Sequence, residues 1–257
     1  MPDLRLALMQ APSPAGDCPA AFVAVERGLR AAGAAGANML VVPESFAPGY
    51  NCDMIAELAM PRGGAWQDRL SLACQNAQCG LVFGYAERAD DVVYNSALAL
   101  GPDGHELAHY RKIQLYGPRE AAIYCAGDRY VTFDLAGHKA ALLICYDVEF
   151  APHIAALAAA GVTVLLVPTA NMLPYTHVMR VTVPAMAANH GMTIVYANYC
   201  GVEGDLHYAG GSLIVGADGD VLAQAGMGPA VLIADVPKVD VARLSSQAQD
   251  YRAAILR

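Results

Sequence analysis

AGANMLVVPES (residues 35–45) and AGVTVLLVPTA (residues 160–170) are two versions of one phrase. In each, an Ala-rich stretch of helical character leads into a short apolar strand that closes on Val-Pro. Short apolar runs bounded by turn residues are the mark of a buried sheet. A second pair reads LALGPDGHEL (98–107) and LIVGADGDVL (213–222), each a strand, a Gly-x-Asp-Gly turn and a second strand. That is a hairpin signature. Between these landmarks the halves also correspond. LRLALMQ (4–10) and HKAALLICYD (138–147) are strands preceding the first helix of each half, and GLVFGYAER (80–88) and MTIVYANYC (192–200) are strands following the second.

The order in each half is therefore strand, helix, strand, helix, then a run of strands. Strands alternating with helical segments argue for βαβ units packed on a sheet, and the terminal hairpins make each sheet mixed. Two such halves predict two mixed sheets packed face to face with helices outside, a four-layer α-β-β-α sandwich with internal pseudo-symmetry. A single doubly wound sheet is the competing arrangement. With 257 residues, 56% of them apolar, the chain can fill a large core, and disorder is excluded. One domain over 1–257 is expected, with the aperiodic tail from about residue 238 packing on a partner subunit.

The balance of 16 basic and 24 acidic residues contains no Lys/Arg run, which disfavours nucleic acid as a partner. Seven scattered cysteines form an odd set unlike a disulfide framework and read as reduced thiols. The start, Met1-Pro2-Asp3-Leu4-Arg5, is charged where a signal peptide would be apolar, and no run is long enough to span a membrane. A cytoplasmic protein is expected.

Ligand-binding residues in open α/β sheets gather just beyond the carboxyl ends of strands. Three positions qualify. Glu44 follows an apolar strand at Pro43, which has no N–H to continue a ladder; its bland reading is a solvated loop acid. Lys112 shares one side of an extended stretch with Tyr110 and Gln114; its bland reading is an exposed edge lysine. Cys145 ends the strand 141–145 and precedes acidic residues; it is either a small core hydrophobe or a thiol facing a cleft, with turn amides able to receive an oxyanion. No Gly-x-Ser-x-Gly, Gly-x4-Gly-Lys-Ser/Thr or Gly-x-Gly-x-x-Gly is present, and Cys74 and Cys79 are too far apart for a zinc knuckle. His153, His177 and His190 read as helix-surface or polar-contact residues. A Cys-His pair is not excluded by spacing.

Together, VVPESFAPGYN (41–51), YRKIQLYGPRE (110–120), LLICYDVEF (142–150) and VPTAN (167–171) resemble the nitrilase superfamily of carbon–nitrogen hydrolases over essentially the full length. Their order fits, as do the separations of about 68 and 33 residues between Glu44, Lys112 and Cys145. The resemblance implies Glu44 as general base, Lys112 as oxyanion partner with the Tyr146 N–H, Cys145 as nucleophile, and Glu120 as a further glutamate positioning substrate and lysine. In this scheme no metal or organic cofactor has a role.

IVYANYCG (194–201), PTANMLPY (168–175) and IQLYGPRE (113–120) look most like the bacterial amidase branch that includes aminovaleramidases and other short aliphatic amidases. The implied reaction is hydrolysis of a small primary amide to carboxylate and ammonia through a cysteine thioester. Tyr50, Asn51, Tyr146, Asn171 and Tyr175 are the expected substrate-binding residues. Arg180 reads as a helix-surface residue, and Glu203 and Asp205 as solvated loop acids in preference to contacts for a substrate amine. A nitrilase or an N-carbamoyl amine or amino acid hydrolase is the rival enzyme, and a catalytically silent sandwich scaffold is the rival outside enzymes. The family also implies a homodimer or larger homo-oligomer.

Overall fold

The computed structural model describes residues 4–255, so Met1–Asp3 and the last two residues of the expected 1–257 unit lie outside the described residues. The first half runs β1 (Arg5–Gln10), α1 (Cys18–Ala34), β2 (Met39–Val41), α2 (Ile55–Leu58), β3 (Met60–Pro61), α3 (Ala65–Ala77), β4 (Gly80–Ala89), β5 (Val92–Leu100), β6 (Glu106–Arg111) and α4 (Gly117–Ile123). The second runs β7 (Thr132–Leu135), β8 (His138–Leu142), a 3-10 turn (Cys145–Glu149), α5 (Ala151–Ala159), β9 (Val164–Pro168), a π-helical turn (Val178–Thr182) leading into α6 (Val183–His190), and β10 (Thr193–Ala197). After it come β11 (Val202–Glu203), β12 (Leu206–His207), β13 (Leu213–Val215), β14 (Val221–Gln224), β15 (Ala230–Asp235) and the short α7 (Gln247–Asp250).

Two sheets result, with orders β15-β1-β2-β4-β5-β6 and β14-β13-β10-β9-β8-β7, while β3 adds to β4 and β11 pairs only with β12. In each, the three strands joined through helices are parallel and the flanking strands antiparallel, as the hairpin turns require. The pseudo-symmetric sandwich is thus the observed architecture, and the single doubly wound sheet is not. One feature departs from two self-contained halves. The antiparallel neighbour of β8 is β7, from the same half, whereas the antiparallel neighbour of β1 is β15, from the far end of the chain. Pairing with β15 protects β1, which would otherwise be an open edge.

Period-two alternation builds the layers. Leu6, Leu8, Met39, Val41 and Val82 face the second sheet and join Leu142, Leu166 and Val195 in the central core. Their sequence neighbours Ala7, Met9, Leu40, Val42, Leu81 and Phe83 face the other way and meet Phe22, Val25 and Leu29 of α1. Each large side chain removed from water this way contributes roughly 1.5–3 kcal/mol. Asp17 caps α1 by accepting from the Ala20 N–H at 2.9 Å.

The tail beyond residue 238 has contacts with its own chain. Arg243 lies 2.8 Å from Asp218 and 2.6 Å from Asp220, and the Leu244 side chain borders Gly191 at the end of α6. Among the described residues no helix is long and apolar enough to cross a membrane, and no group of three His, Cys, Asp or Glu side chains is placed to hold a metal ion.

Candidate active site

The loops after β2, β6 and β8 converge where the two sheets meet. Val42 makes the last ladder bond of its strand, to Val82 O at 3.1 Å, and Pro43 ends the pairing. Glu44 is then tied to the other sheet: its N–H donates to Thr169 O at 3.3 Å, and its carbonyl accepts from the Tyr199 hydroxyl at 2.8 Å. Gly84 makes this crossing possible, because a Cβ there would lie 2.4 Å from Pro43 O. Glu44 is completely buried, so the solvated-loop reading fails.

Lys112 follows β6 on the same inward face as Tyr110. Its N–H donates to Asn95 O at 2.8 Å and its carbonyl accepts from Gly127 N at 2.7 Å, so its backbone is held on both sides. The side chain points between the sheets at 1% exposure, which rules out the edge-lysine reading. Its ammonium donates to Glu44 Oε1 at 2.6 Å and to Glu120 Oε1 at 2.7 Å. Glu120, on α4, also accepts from the Tyr50 hydroxyl at 2.7 Å and from Tyr116 N–H at 2.9 Å. Asn95 donates to Glu44 Oε1 at 2.7 Å, while the buried Oε2 of Glu44 has no partner among the described residues.

The strand carrying Cys145 ends at Leu142, three residues earlier than the sequence pattern implies. Cys145 occupies a left-handed conformation with φ of 45° and opens the 3-10 turn. Asp147 clamps this turn: its Oδ2 accepts from Ile144 N–H at 3.0 Å and from the Tyr110 hydroxyl at 2.8 Å, and its Oδ1 accepts from Gln114 N–H at 2.7 Å. One carboxylate thereby fastens the cysteine turn to the segment bearing Lys112. The thiol borders a cavity of about 280 Å³, small enough to suit a small molecule.

One cation serves two carboxylates here, and the electrostatics follow. Burial pushes the Glu44 carboxyl up to about 7; Lys112 pulls it down and Glu120 pushes it up. Burial also works against the charge on Lys112, but Glu44 and Glu120 outweigh it and hold the ammonium well above its ordinary range. The Cys145 thiol is raised by burial first and Glu44 second, against the pull of Lys112 and a bond from Ala170 N–H. A neutral thiol beside a carboxylate poised near neutrality is an arrangement for proton transfer concerted with attack.

Of the expected substrate-binding residues, Tyr50, Tyr146, Asn171 and Tyr175 line this cavity with Cys145, and Asn51 does not. Its amide instead donates to Glu203 O and Asp205 Oδ1, both at 2.9 Å, and it borders a neighbouring cavity of about 570 Å³ that shares Tyr50, Tyr116 and Met172. The loop-acid expectation for Glu203 is overturned. This residue is 4% exposed and accepts from Asn51 N–H and the Tyr208 hydroxyl, because β11 folds back under the Tyr50 loop. Asp205 remains exposed, as expected, and Arg180 lies on the surface.

His153 makes polar contacts with Gln114 and Tyr130, whereas His177 turns out to line the cavity. Tyr116, Glu149 and Met172 also line it without having been singled out. All three stand inside segments that carry the family resemblance. Asn95 had a legible signal, an amide inside a largely apolar strand. A larger cavity of about 900 Å³, between α5, α6 and the tail, includes none of Glu44, Lys112 and Cys145.

Comparison with known proteins agrees with this geometry. The sequence pattern of the family described as carbon-nitrogen hydrolase matches residues 5–245. A protein described as "Hydrolase in pqqF 5'region" from Pseudomonas protegens is 39% identical over 77% of this chain and 70% of its own length. An (R)-stereoselective amidase from a Pseudomonas species is 34% identical over 83% of this chain and 77% of its own. The crystal structure of an amidase from Nesterenkonia sp. superposes with a TM-score of 0.89 at 33% identity, covering 98% of this chain and 94% of that one.

Proposed function

The chain belongs to the carbon–nitrogen hydrolase family, the nitrilase superfamily, and from that premise we propose that it is an amidase cleaving small primary amides through Cys145. The observation that carries the reading is the placement of Cys145 on a small cavity, within electrostatic reach of a buried Glu44 that has one oxygen held by Lys112 and Asn95 and the other unpartnered.

In this mechanism the unpartnered oxygen of Glu44 takes the thiol proton as Sγ attacks the amide carbon. An ammonium has three N–H donors, and two from Lys112 are engaged by Glu44 and Glu120. The third, together with the Tyr146 N–H, stabilises the oxyanion. Glu44 returns its proton to the nitrogen, the C–N bond breaks, and ammonia leaves a thioester on Cys145. A water deprotonated by Glu44 then attacks the thioester, releasing the carboxylic acid and restoring the thiol. Glu120 acts through Lys112 as a positioning residue, held by Tyr50 and Tyr116. Every proton passes through groups of this chain, so the scheme requires no metal or organic cofactor.

A cysteine-to-alanine mutant of the Nesterenkonia sp. amidase has been solved in complex with butyramide, and a glutamate-to-glutamine mutant with acrylamide joined to the active-site cysteine by Michael addition. Small aliphatic amides held in that relative's site support the same substrate class here. The test is a panel of matched amide, nitrile and N-carbamoyl substrates with ammonia as readout. Release from the amide is expected; turnover of the nitrile alone would replace the amidase reading with a nitrilase. A single folding unit, a homo-oligomer joined through the tail and a cytoplasmic location complete the proposal. Val241, Tyr251 and Ile255 of the tail are 78%, 77% and 91% exposed, apolar surface that a second copy would cover. Sedimentation of the full chain against one shortened at residue 238 tests that contact.

A further inference from the structure

A cavity of about 270 Å³ lies apart from Cys145 and is lined by Arg62, His109, Arg111, Asp128 and Arg129. Alternation along β6 sets His109 and Arg111 on the face opposite Tyr110 and Lys112. Arg62 follows β3, and the segment bearing Asp128 and Arg129 is held against β6 by the bond from Gly127 N–H to Lys112 O at 2.7 Å. Gly127 permits that approach, since a Cβ there would lie 2.2 Å from Arg111 O. Three guanidiniums and an imidazole thus border one space in a chain whose formal charge is −8. Each guanidinium meets its carboxylate through Nε and Nη2: Arg111 with Glu87 at 2.9 and 2.6 Å, Arg129 with Asp128 at 2.9 and 3.3 Å, and Arg62 with Glu106. The group carries five N–H donors, so the two on each Nη1 remain, and no hydrogen bond engages them among the described residues. His109 is equally one-sided, its Nε2 lying 3.0 Å from Glu87 and 3.2 Å from the Tyr85 hydroxyl, with no partner at Nδ1 among the described residues. Arg111 and Arg129 are close enough to repel, each charge working against the other. Arg129 is held only by its chain neighbour Asp128, at 78% and 76% exposure, a pair that water screens and a ligand can exchange.

We propose that this cavity is an anion-binding site for a phosphate group, carried by inorganic phosphate or a small phosphate monoester and held by Arg62, Arg111 and Arg129 with the His109 imidazole. Guanidiniums reaching one space from three chain segments suit a tetrahedral group with several oxygens, whereas one fork already satisfies a planar carboxylate. Asp128 is the one acid on the wall among the described residues, and it turns to solvent as Arg129 exchanges it for the ligand. Glu87 and Glu106 do not line the space. An occupant ties β6 to the 127–129 segment, the two stretches whose mutual bond holds the Lys112 backbone, and so braces that lysine from the outer face. The site uses neither Cys145 nor its cavity, so it stands or falls apart from the amidase reading.

The test is calorimetric titration of the full chain with inorganic phosphate, glycerol 2-phosphate and succinate, at an ionic strength fixed with sodium chloride. One phosphate site with a Kd of about 1 mM is expected, together with a rise in melting temperature at saturation. Tighter binding of glycerol 2-phosphate identifies a monoester site, and tighter binding of phosphate a site for the free ion. Succinate, a dianion without the tetrahedral group, is expected to bind about tenfold more weakly than either. Arg62→Gln and Arg129→Gln change exposed side chains, keep the fold by circular dichroism, and are each expected to weaken phosphate binding about tenfold. Their double variant is expected to lose the melting shift. Neither heat nor a melting shift beyond the chloride control, or an affinity unchanged in either single variant, overturns the site. Succinate binding as tightly as phosphate overturns its assignment to a phosphate group.

Discussion

Two buried carboxylates on the same sheet are wired in opposite senses. Glu87, on β4, is 2% exposed and is flanked by Arg111, which donates to its two oxygens at 2.6 and 2.9 Å, and by His109 at 3.0 Å. Ser96 adds a bond at 2.6 Å. Burial alone would raise this carboxyl, but His109, Arg111 and Ser96 outweigh it and hold it far below the ordinary range. Glu44 is fully buried and shares its single cation with Glu120, so burial wins and its carboxyl rises to about 7. Glu44 also lies deeper than Glu87, so the weight of burial and the ratio of cations to carboxylates together decide the outcome. One arrangement makes a stable anion for holding strands together, and the other makes a group that can exchange a proton.

The contrast can be broken at several points. Cys145→Ala has the largest expected effect, a fall in turnover of about 10⁶-fold with the fold retained by circular dichroism; residual high activity would remove the thiol from the mechanism. Glu44→Gln should lose about 10²–10⁴-fold at every pH, because an amide cannot carry the proton. Its melting temperature should equal or exceed that of the parent, since a raised carboxyl pKa means that the ionised form is held less well in the folded state than in the unfolded. A large drop in melting temperature would show that Glu44 is wired like Glu87.

Lys112→Met leaves Glu44 and Glu120 without their cation and should cost about 3–5 kcal/mol in denaturant titrations above neutral pH. That loss should shrink as falling pH protonates Glu44; a loss independent of pH would point to packing instead. Glu87→Gln should cost about 1–3 kcal/mol near neutral pH with turnover retained. Glu87 has a depressed folded pKa, so its stabilisation is complete above about pH 4.3 and disappears as pH drops further, which makes the variant and parent converge in acid. The mildest effect concerns the parent enzyme. Below about pH 7 Glu44 becomes protonated and cannot accept from the thiol, so kcat/KM should fall by about tenfold per pH unit. An acid limb near pH 4 would mean that the base titrates as an ordinary glutamate.

Much of this was legible in advance, and for definite reasons. Strands such as Met39–Val41 and Val164–Pro168 are announced by local apolar runs, and Glu44, Lys112 and Cys145 stand in segments whose order and spacing are preserved along the chain. The roles of Asn95 and Asp147 were hidden, and Glu203 read as a solvated loop acid, because their partners are remote. Asn95 lies 51 residues from Glu44, Asp147 lies 37 from Tyr110, and Glu203 lies 152 from Asn51. The same distance hid the pairing of β15 with β1, and led Asn51 to be placed in the substrate pocket when its polar atoms are held by Glu203 and Asp205.

By itself, the order of residues determined the alternation of strand and helix, the doubling of the chain and the chemical types available at the strand ends. These depend on periodicity and turn chemistry over a few neighbouring residues. Tertiary structure alone decided that Lys112 is shared by two acids, that Glu87 is held by Arg111, His109 and Ser96, and that Glu149 has no donor among the described residues. Those outcomes are sums of burial and Coulomb interactions among groups that meet only after the sheets have packed, and no local pattern carries such a sum.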